Sequence, residues 1–190
     1  MSNKIKYGIK KVHWALATIA TDGSATYGTP VAEPGAVSIS MEPQGEATVF
    51  YADDIVYYTG PNNAGYEGDL ELALVSDTFK TQILGYKTDS KGVFYEDVNA
   101  PAQPFALMFE FNGDKKATRH VLYNCTASRS AVGSTTKTDT VEPQTESITI
   151  RATSIYSSAL STDITKGHTN ASTDTTTYST WYDAVVLPTA

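Results

Sequence analysis

The chain has 190 residues, of which 41% are hydrophobic and 18% charged, and its formal net charge is −7. That length suits one domain with a packed core, and the acidic balance excludes a protein that holds nucleic acid through basic phosphate-binding patches. With one cysteine, Cys125, an intrachain disulfide is excluded as well.

Two lysines stand among the first six residues with no long apolar run behind them. Residues 12–20 are apolar but are interrupted by His13, Trp14 and Thr18, and the run is too short to span a bilayer. The expectation is no signal peptide and no membrane segment. Residues 1–11 read as a basic N-terminal arm and 12–20 as a first strand. Residues 21–34, rich in Gly, Thr and Pro, read as a loop. Residues 36–41 alternate and read as a strand, and 43–45 as a turn.

Residues 48–51 and 55–58 are short apolar runs broken by Asp53-Asp54, followed by a turn cluster over 60–65. Residues 66–74 make a strong strand pattern, with Leu70, Leu72 and Leu74 on one face and Glu67, Asp69 and Glu71 on the other. The period then changes. Residues 76–85 predict the one helix, with Ser76 or Asp77 as cap, Gly85 as stop, and Phe79, Ile83 and Leu84 as its apolar stripe. Residues 87–92 predict a polar turn and 93–95 a short strand.

Residues 104–111 alternate again, placing Phe105, Leu107, Phe109 and Phe111 on one face. Asn112-Gly113-Asp114 predicts a tight hairpin, because Asn and Gly both tolerate positive φ; the return strand covers 117–128. After a Thr-rich break over 133–144 comes a long strand over 147–156, with Ile148 and Ile150 on one face. Residues 157–179 are mostly Ser, Thr, Asp and Asn, and a mobile loop is expected over 161–180. Residues 181–187 read as a closing strand or a docking arm. Abundant Tyr and Thr favour strands throughout. The sum is a single domain, 1–190, mainly β: an antiparallel β-sandwich or partly open barrel with one short α-helix, an N-terminal arm and a C-terminal tail over 157–190.

Catalytic signals are poor. His13, His120 and His168 lie far apart without neighbouring ligands, so no metal site is predicted and no cofactor is called for. Cys125 in mid-strand reads as a small buried hydrophobe rather than a nucleophile. Asp53-Asp54 reads as a turn or bulge rather than an acid–base pair, since neighbours in a strand point to opposite faces. Asn124-Cys125-Thr126 and Asn170-Ala171-Ser172 match the glycosylation pattern but lack a secretory context. Glu67, Asp69 and Glu71 read either as an ordinary solvent-facing strand or as the lining of a negatively charged channel. A small open sheet also exposes unpaired backbone groups, which copies of the chain arranged in a ring would cover.

Several blocks carry a resemblance. Lys6-Tyr7-Gly8-Ile9-Lys10-Lys11-Val12-His13-Trp14-Ala15 resembles the start of major tail tube proteins of siphophages infecting Gram-positive bacteria, as does Gly28-Thr29-Pro30-Val31 followed by Pro34-Gly35-Ala36-Val37-Ser38-Ile39. The most specific part runs over 48–85, with Phe50-Tyr51-Ala52-Asp53-Asp54, Tyr57-Tyr58, Gly65-Tyr66-Glu67-Gly68-Asp69-Leu70-Glu71-Leu72-Ala73-Leu74, Phe79 and Ile83-Leu84-Gly85. The resemblance covers about residues 6–155. It implies β-sandwich subunits, similar in fold to type VI secretion tube proteins, that form hexameric rings. Such rings stack around a tape-measure protein and join other tail proteins. The tube later conducts DNA without binding it specifically.

The chain would then be a virion component made in the host bacterial cytoplasm, with no enzymatic activity and no membrane association. Some relatives carry a further immunoglobulin-like domain, for which 190 residues leave no length. On this reading Glu67, Asp69 and Glu71 face the lumen, where Lys and Arg should be scarce. Tyr51, Asp53, Asp54, Tyr57, Tyr58 and Asn62, together with the N-terminal arm and the C-terminal tail, make ring-to-ring contacts. The competing readings are a carbohydrate-binding or adhesin β-sandwich, using Tyr57 and Tyr58 as stacking residues, and another virion part such as a tail terminator or capsid decoration protein.

Overall fold

Apolar residues on both faces of one sheet set the architecture. In the computed structural model, which describes residues 3–136 and 143–189, β1 (Lys6–Ile19) is followed by β2 (Ala25–Tyr27), β3 (Val31–Ala32) and β4 (Ala36–Gln44). Next come the hairpin β5 (Thr48–Ala52) and β6 (Ile55–Gly60), strand β7 (Gly65–Leu72), helix α1 (Asp77–Gln82) and the short pair β8 (Lys87–Thr88) and β9 (Phe94–Tyr95). Strands β10 (Phe105–Gly113), β11 (Thr118–Ala127) and β12 (Glu146–Thr153) complete the main sheet. β13 (Ile155–Ser157), β14 (Thr162–Ile164), β15 (Lys166–His168) and α2 (Thr175–Ser179) lead into the C-terminal segment.

The main sheet runs β2-β1-β10-β11-β12-β7-β4, with β3 beside β1 and β15 beside β11. All of its pairings are antiparallel. β4 ends the sheet, and its outer edge has no partner strand among the described residues. It curls back into contact with β1 without pairing to it, so the barrel stays open. The mainly β, antiparallel, partly open architecture agrees with the sequence reading, although the described residues hold two short helices instead of one.

The concave face holds the larger core: Val12, Trp14, Leu70, Leu72, Phe105, Leu107, Phe109, Leu122, Cys125, Ile148 and Ile150, closed at one end by Phe79, Ile83 and Leu84 of the α1 region. Rings of Trp14, Phe79 and Phe105 meet edge to face, with centroids 5.7 and 5.5 Å apart, the arrangement aromatic quadrupoles favour. Ser76 caps α1, its Oγ accepting from the Phe79 N–H at 3.1 Å. The opposite face of β10 and β11 is apolar too. There Ala106, Met108, Val121 and Tyr123 pack with Ile155, Trp181, Tyr182, Val185 and Val186.

Several expectations need correction. Residues 6–11 are not a free arm: they extend β1 and pair with β10, from Lys6↔Gly113 to Lys10↔Glu110. The loop over 21–34 contains β2 and β3. Asn112 and Gly113 do not form the hairpin turn, because β10 overruns β11 to reach the start of β1, and the turn falls on residues 114–117. Leu74 leaves the alternation of β7 and is 65% exposed. The Ser/Thr-rich stretch is not one loop, since it supplies β14, β15 and α2. Trp181 is buried, but residues 181–187 lie across the sheet as coil and close no strand. The Thr-rich break over 133–144 falls partly outside the described residues, at 137–142.

Candidate functional site

The outward face of β4, β7 and β12 is built by simple alternation. Leu70 and Leu72 turn into the core, so Glu67, Asp69 and Glu71 turn out. Register then sets their neighbours: Glu42, Ser40 and Ser38 on β4, and Arg151, Thr149 and Ser147 on β12. Hydroxyls hold the carboxylates in place. Thr149 Oγ1 donates to Asp69 at 2.8 Å, while Ser38 Oγ at 2.8 Å and Thr145 Oγ1 at 2.6 Å donate to Glu71. Those two hydroxyl bonds, Thr145 first, hold the Glu71 carboxyl below the usual carboxylate range. Glu42 stands directly opposite Glu67, a like-charge pairing that costs stability in a sheet. Arg151 is the one base on this face among the described residues, against four carboxylates.

The β5–β6 hairpin is the second feature. Among the described residues it pairs only with itself. Its two-residue turn is Asp53-Asp54, at φ 50° and 59°, the left-handed pair that a hairpin turn of matching twist requires. Val49, Phe50, Tyr51, Ile55, Val56, Tyr57 and Tyr58 are all exposed, Tyr57 to 71%. Phe50 and Tyr57 meet edge to face at 6.5 Å. The structure thus gathers Tyr51, Asp53, Asp54, Tyr57 and Tyr58 on one projection. Asn62 is exposed on the connection back to β7, where its carbonyl crowds Gly45.

The three histidines do not share one site: His13 stands apart, while the β11–β15 pairing sets His120 opposite His168. His13 Nδ1 lies 2.9 Å from the Lys11 carbonyl and its ring stacks on Tyr182 at 4.4 Å. His120 stacks between Phe109 at 5.2 Å and His168 at 5.6 Å. Burial first, and then the nearby His168, Lys6 and Lys166, push its pKa down to about 4. Among the described residues no three His, Cys, Asp or Glu side chains form a metal-binding group. Cys125 is fully buried, which pushes its thiol pKa up and leaves it inert as a nucleophile. Asn124 donates to Thr153 Oγ1 at 2.9 Å, and Asn170 caps a local turn through Ser172 at 2.8 Å.

Two buried polar clusters escaped sequence reasoning. Glu33 accepts from Trp14 Nε1 at 3.1 Å and from the N–H and Oγ of Ser76, both at 2.7 Å. Glu110 accepts from Arg119 Nε at 3.0 Å, with Lys10 and Lys11 within 3.6 Å. Arg119 also donates to the Tyr178 carbonyl and lies over the Tyr178 ring at 3.9 Å, which clasps the C-terminal segment to β11. No local motif announces either cluster: Trp14 and Ser76 lie 19 and 43 residues from Glu33, Tyr178 lies 59 from Arg119, and Arg119 meets Glu110 across two different strands.

The molecule therefore offers an acidic, hydroxyl-lined sheet face, an unpaired sheet edge and a projecting aromatic hairpin, and no catalytic constellation among its described residues. No curated protein matches the chain. The sequence profile of one family, described as phage tail tube protein, matches residues 1–185. With nearly the whole length matched and an open antiparallel β architecture in agreement, the chain belongs to the phage tail tube protein family.

Proposed function

We propose that this chain is the major subunit of a phage tail tube, in which hexameric rings stack around a tape-measure protein and later pass DNA through an acidic lumen. The observation that carries this reading is the β5–β6 hairpin. A two-stranded hairpin in water is marginal by itself, and this one exposes seven large apolar side chains. Such a projection is stabilised when another copy covers it. The unpaired outer edge of β4 supports lateral closure by strand addition within a ring. Glu67, Asp69 and Glu71 support a lumen that repels the DNA backbone, because like charge lowers residence on the wall.

Electron microscopy of the concentrated protein tests this. Rings or tubes with a central hole are expected. Replacing residues 49–59 by a short Gly-Ser link should leave near-ultraviolet circular dichroism native and abolish the tubes. A wild-type chain that stays monomeric at every concentration overturns the proposal, all the more so if that monomer binds sugars through Tyr57 and Tyr58.

A further inference from the structure

The subunit has two unlike poles. Chain direction fixes the first: β4 ends and β7 begins beside the hairpin, at Gln44 and Gly65. The other ends of these strands, Ala36 and Leu72, lie at the opposite pole with Glu146, the first residue of β12. Eight residues of β7 separate the two poles by roughly 23 Å. At the far pole sit α1 and the segment carrying β8 and β9. Lys80 reaches Glu146 at 3.5 Å, Arg129, just beyond the end of β11, pairs with Glu96, and Gln103 N–H donates to the Ile83 carbonyl at 2.8 Å.

This far pole carries its own exposed apolar set: Leu74, Val93, Phe94, Tyr95 and Val98, the last 82% exposed. Local polar contacts hold the turn that carries the set. Asp89 accepts from the N–H groups of Lys91 and Val93, both at 2.8 Å, and Lys87 pairs with Asp97 at 2.5 Å. Lys91, on the turn beside Val93, is exposed and makes no ion pair with the described residues. At the hairpin pole, Asp53 and Asp54 sit at the tip of an aromatic projection that contains no base. The hairpin therefore presents apolar surface beside two carboxylates and no base of its own, and the far pole presents apolar surface beside Lys91, while the carboxylates of the β8–β9 segment, Asp89, Glu96 and Asp97, are engaged by backbone N–H groups, Arg129 and Lys87.

We infer that the β8–β9 surface, with Lys91, Leu74, Phe94 and Val98, is the socket that receives the β5–β6 hairpin of the next copy along the tube axis. The inference rests on the tube reading above and names the receiving surface. A contact between unlike patches at opposite poles is heterologous, so each copy added exposes a fresh hairpin and a fresh socket, and growth does not close. The apolar rings supply area, and Asp53 and Asp54 facing Lys91 set the register.

Cysteine cross-linking of the full chain tests it, since Cys125 is buried and unreactive. Tyr57→Cys copies mixed with Val98→Cys copies, assembled and treated with a short bismaleimide, should give cross-linked dimers. A chain carrying both changes should give a ladder that continues past one ring. Lys91→Glu should raise the concentration needed for tubes about tenfold by setting like charges together. Tubes that form without a Tyr57–Val98 cross-link, or a ladder that stops at the ring size, overturn the socket while leaving the tube reading intact. A wild-type chain that forms no tubes overturns both.

Discussion

At the scale of single residues, buried polar groups do work that composition does not reveal. Glu33 is 2% exposed, and a carboxylate so placed is tolerable because donors surround it. It ties Trp14 of β1 to the N-cap of α1, so one side chain positions the helix that closes the core. His120 shows the opposite case. Its ring is faced by Phe109 and Phe111 of β10, His168 and Lys166 of β15, and Lys6 of β1. No carboxylate among the described residues offsets those cations there, and its pKa falls from 6.5 to about 4. The unfolded chain takes up this proton near pH 6.5, whereas the folded chain resists it until about pH 4. Stability contributed by neutral His120 is therefore complete above pH 6.5 and lost as pH falls towards 4. After allowance for partial solvent exposure the loss is on the order of 1–2 kcal/mol. Urea midpoints of the monomer at pH 7 and pH 4.5 should show it, and His120→Gln should shrink the difference between the two. An unchanged difference in the variant would assign the acid sensitivity to other groups.

At the scale of elements, the C-terminal segment is a strap. Arg119 grips Tyr178, and Trp181 then fills the second apolar face beside Met108 and Tyr123. The Trp181 indole N–H is buried without a hydrogen-bond partner among the described residues. The ring thus stabilises through packing alone. Trp181→Ala should cost about 3–5 kcal/mol, while Trp181→Phe, which removes the orphan donor, should cost well under half as much. Chemical denaturation of the two variants checks the ratio; equal losses would mean that the N–H is satisfied in solution.

The same elements show what a sequence can and cannot announce. β7 was legible because one of its faces meets water, so Leu70 and Leu72 alternate cleanly with Glu67, Asp69 and Glu71. β10 was half legible. Its phenylalanines marked the concave face, but Ala106 and Met108 gave no sign of a second core, which exists only because residues far downstream cover it. Asn112-Gly113 misled because a strand partner, β1, outweighed turn preference. The polar stretch that yields β15 misled because ladder hydrogen bonds are made by backbone groups and need no apolar side chains. For the candidate site, Asp53-Asp54 was legible as a turn, and the gathering of the aromatic residues around it followed from pairing. The Glu33 and Arg119 clusters were not legible, since only the fold brings their partners together.

At the scale of the whole molecule, the acidic face is where structure and function pull apart. Placing Glu42 opposite Glu67, and four carboxylates near a lone Arg151, is a poor arrangement for an isolated sheet. Hydroxyls from Ser38, Thr145 and Thr149 orient Asp69 and Glu71 without neutralising them, so the face keeps its charge. In a ring of copies that charge would be repeated around a pore, where a DNA backbone passing along it finds hydroxyls and like charge instead of binding sites. The double change Asp69→Lys with Glu71→Lys reverses this locally and removes no core contact. Tubes should still assemble, because neither side chain belongs to the hairpin, the socket or the β4 edge. Phage carrying the change should adsorb normally but eject DNA more slowly, and the defect should weaken as salt is raised, since lysine–phosphate attraction is screened. Potassium efflux or dye-labelled genome release from single particles reads the rate. Wild-type ejection kinetics across the salt series would place this face on the outside of the tube.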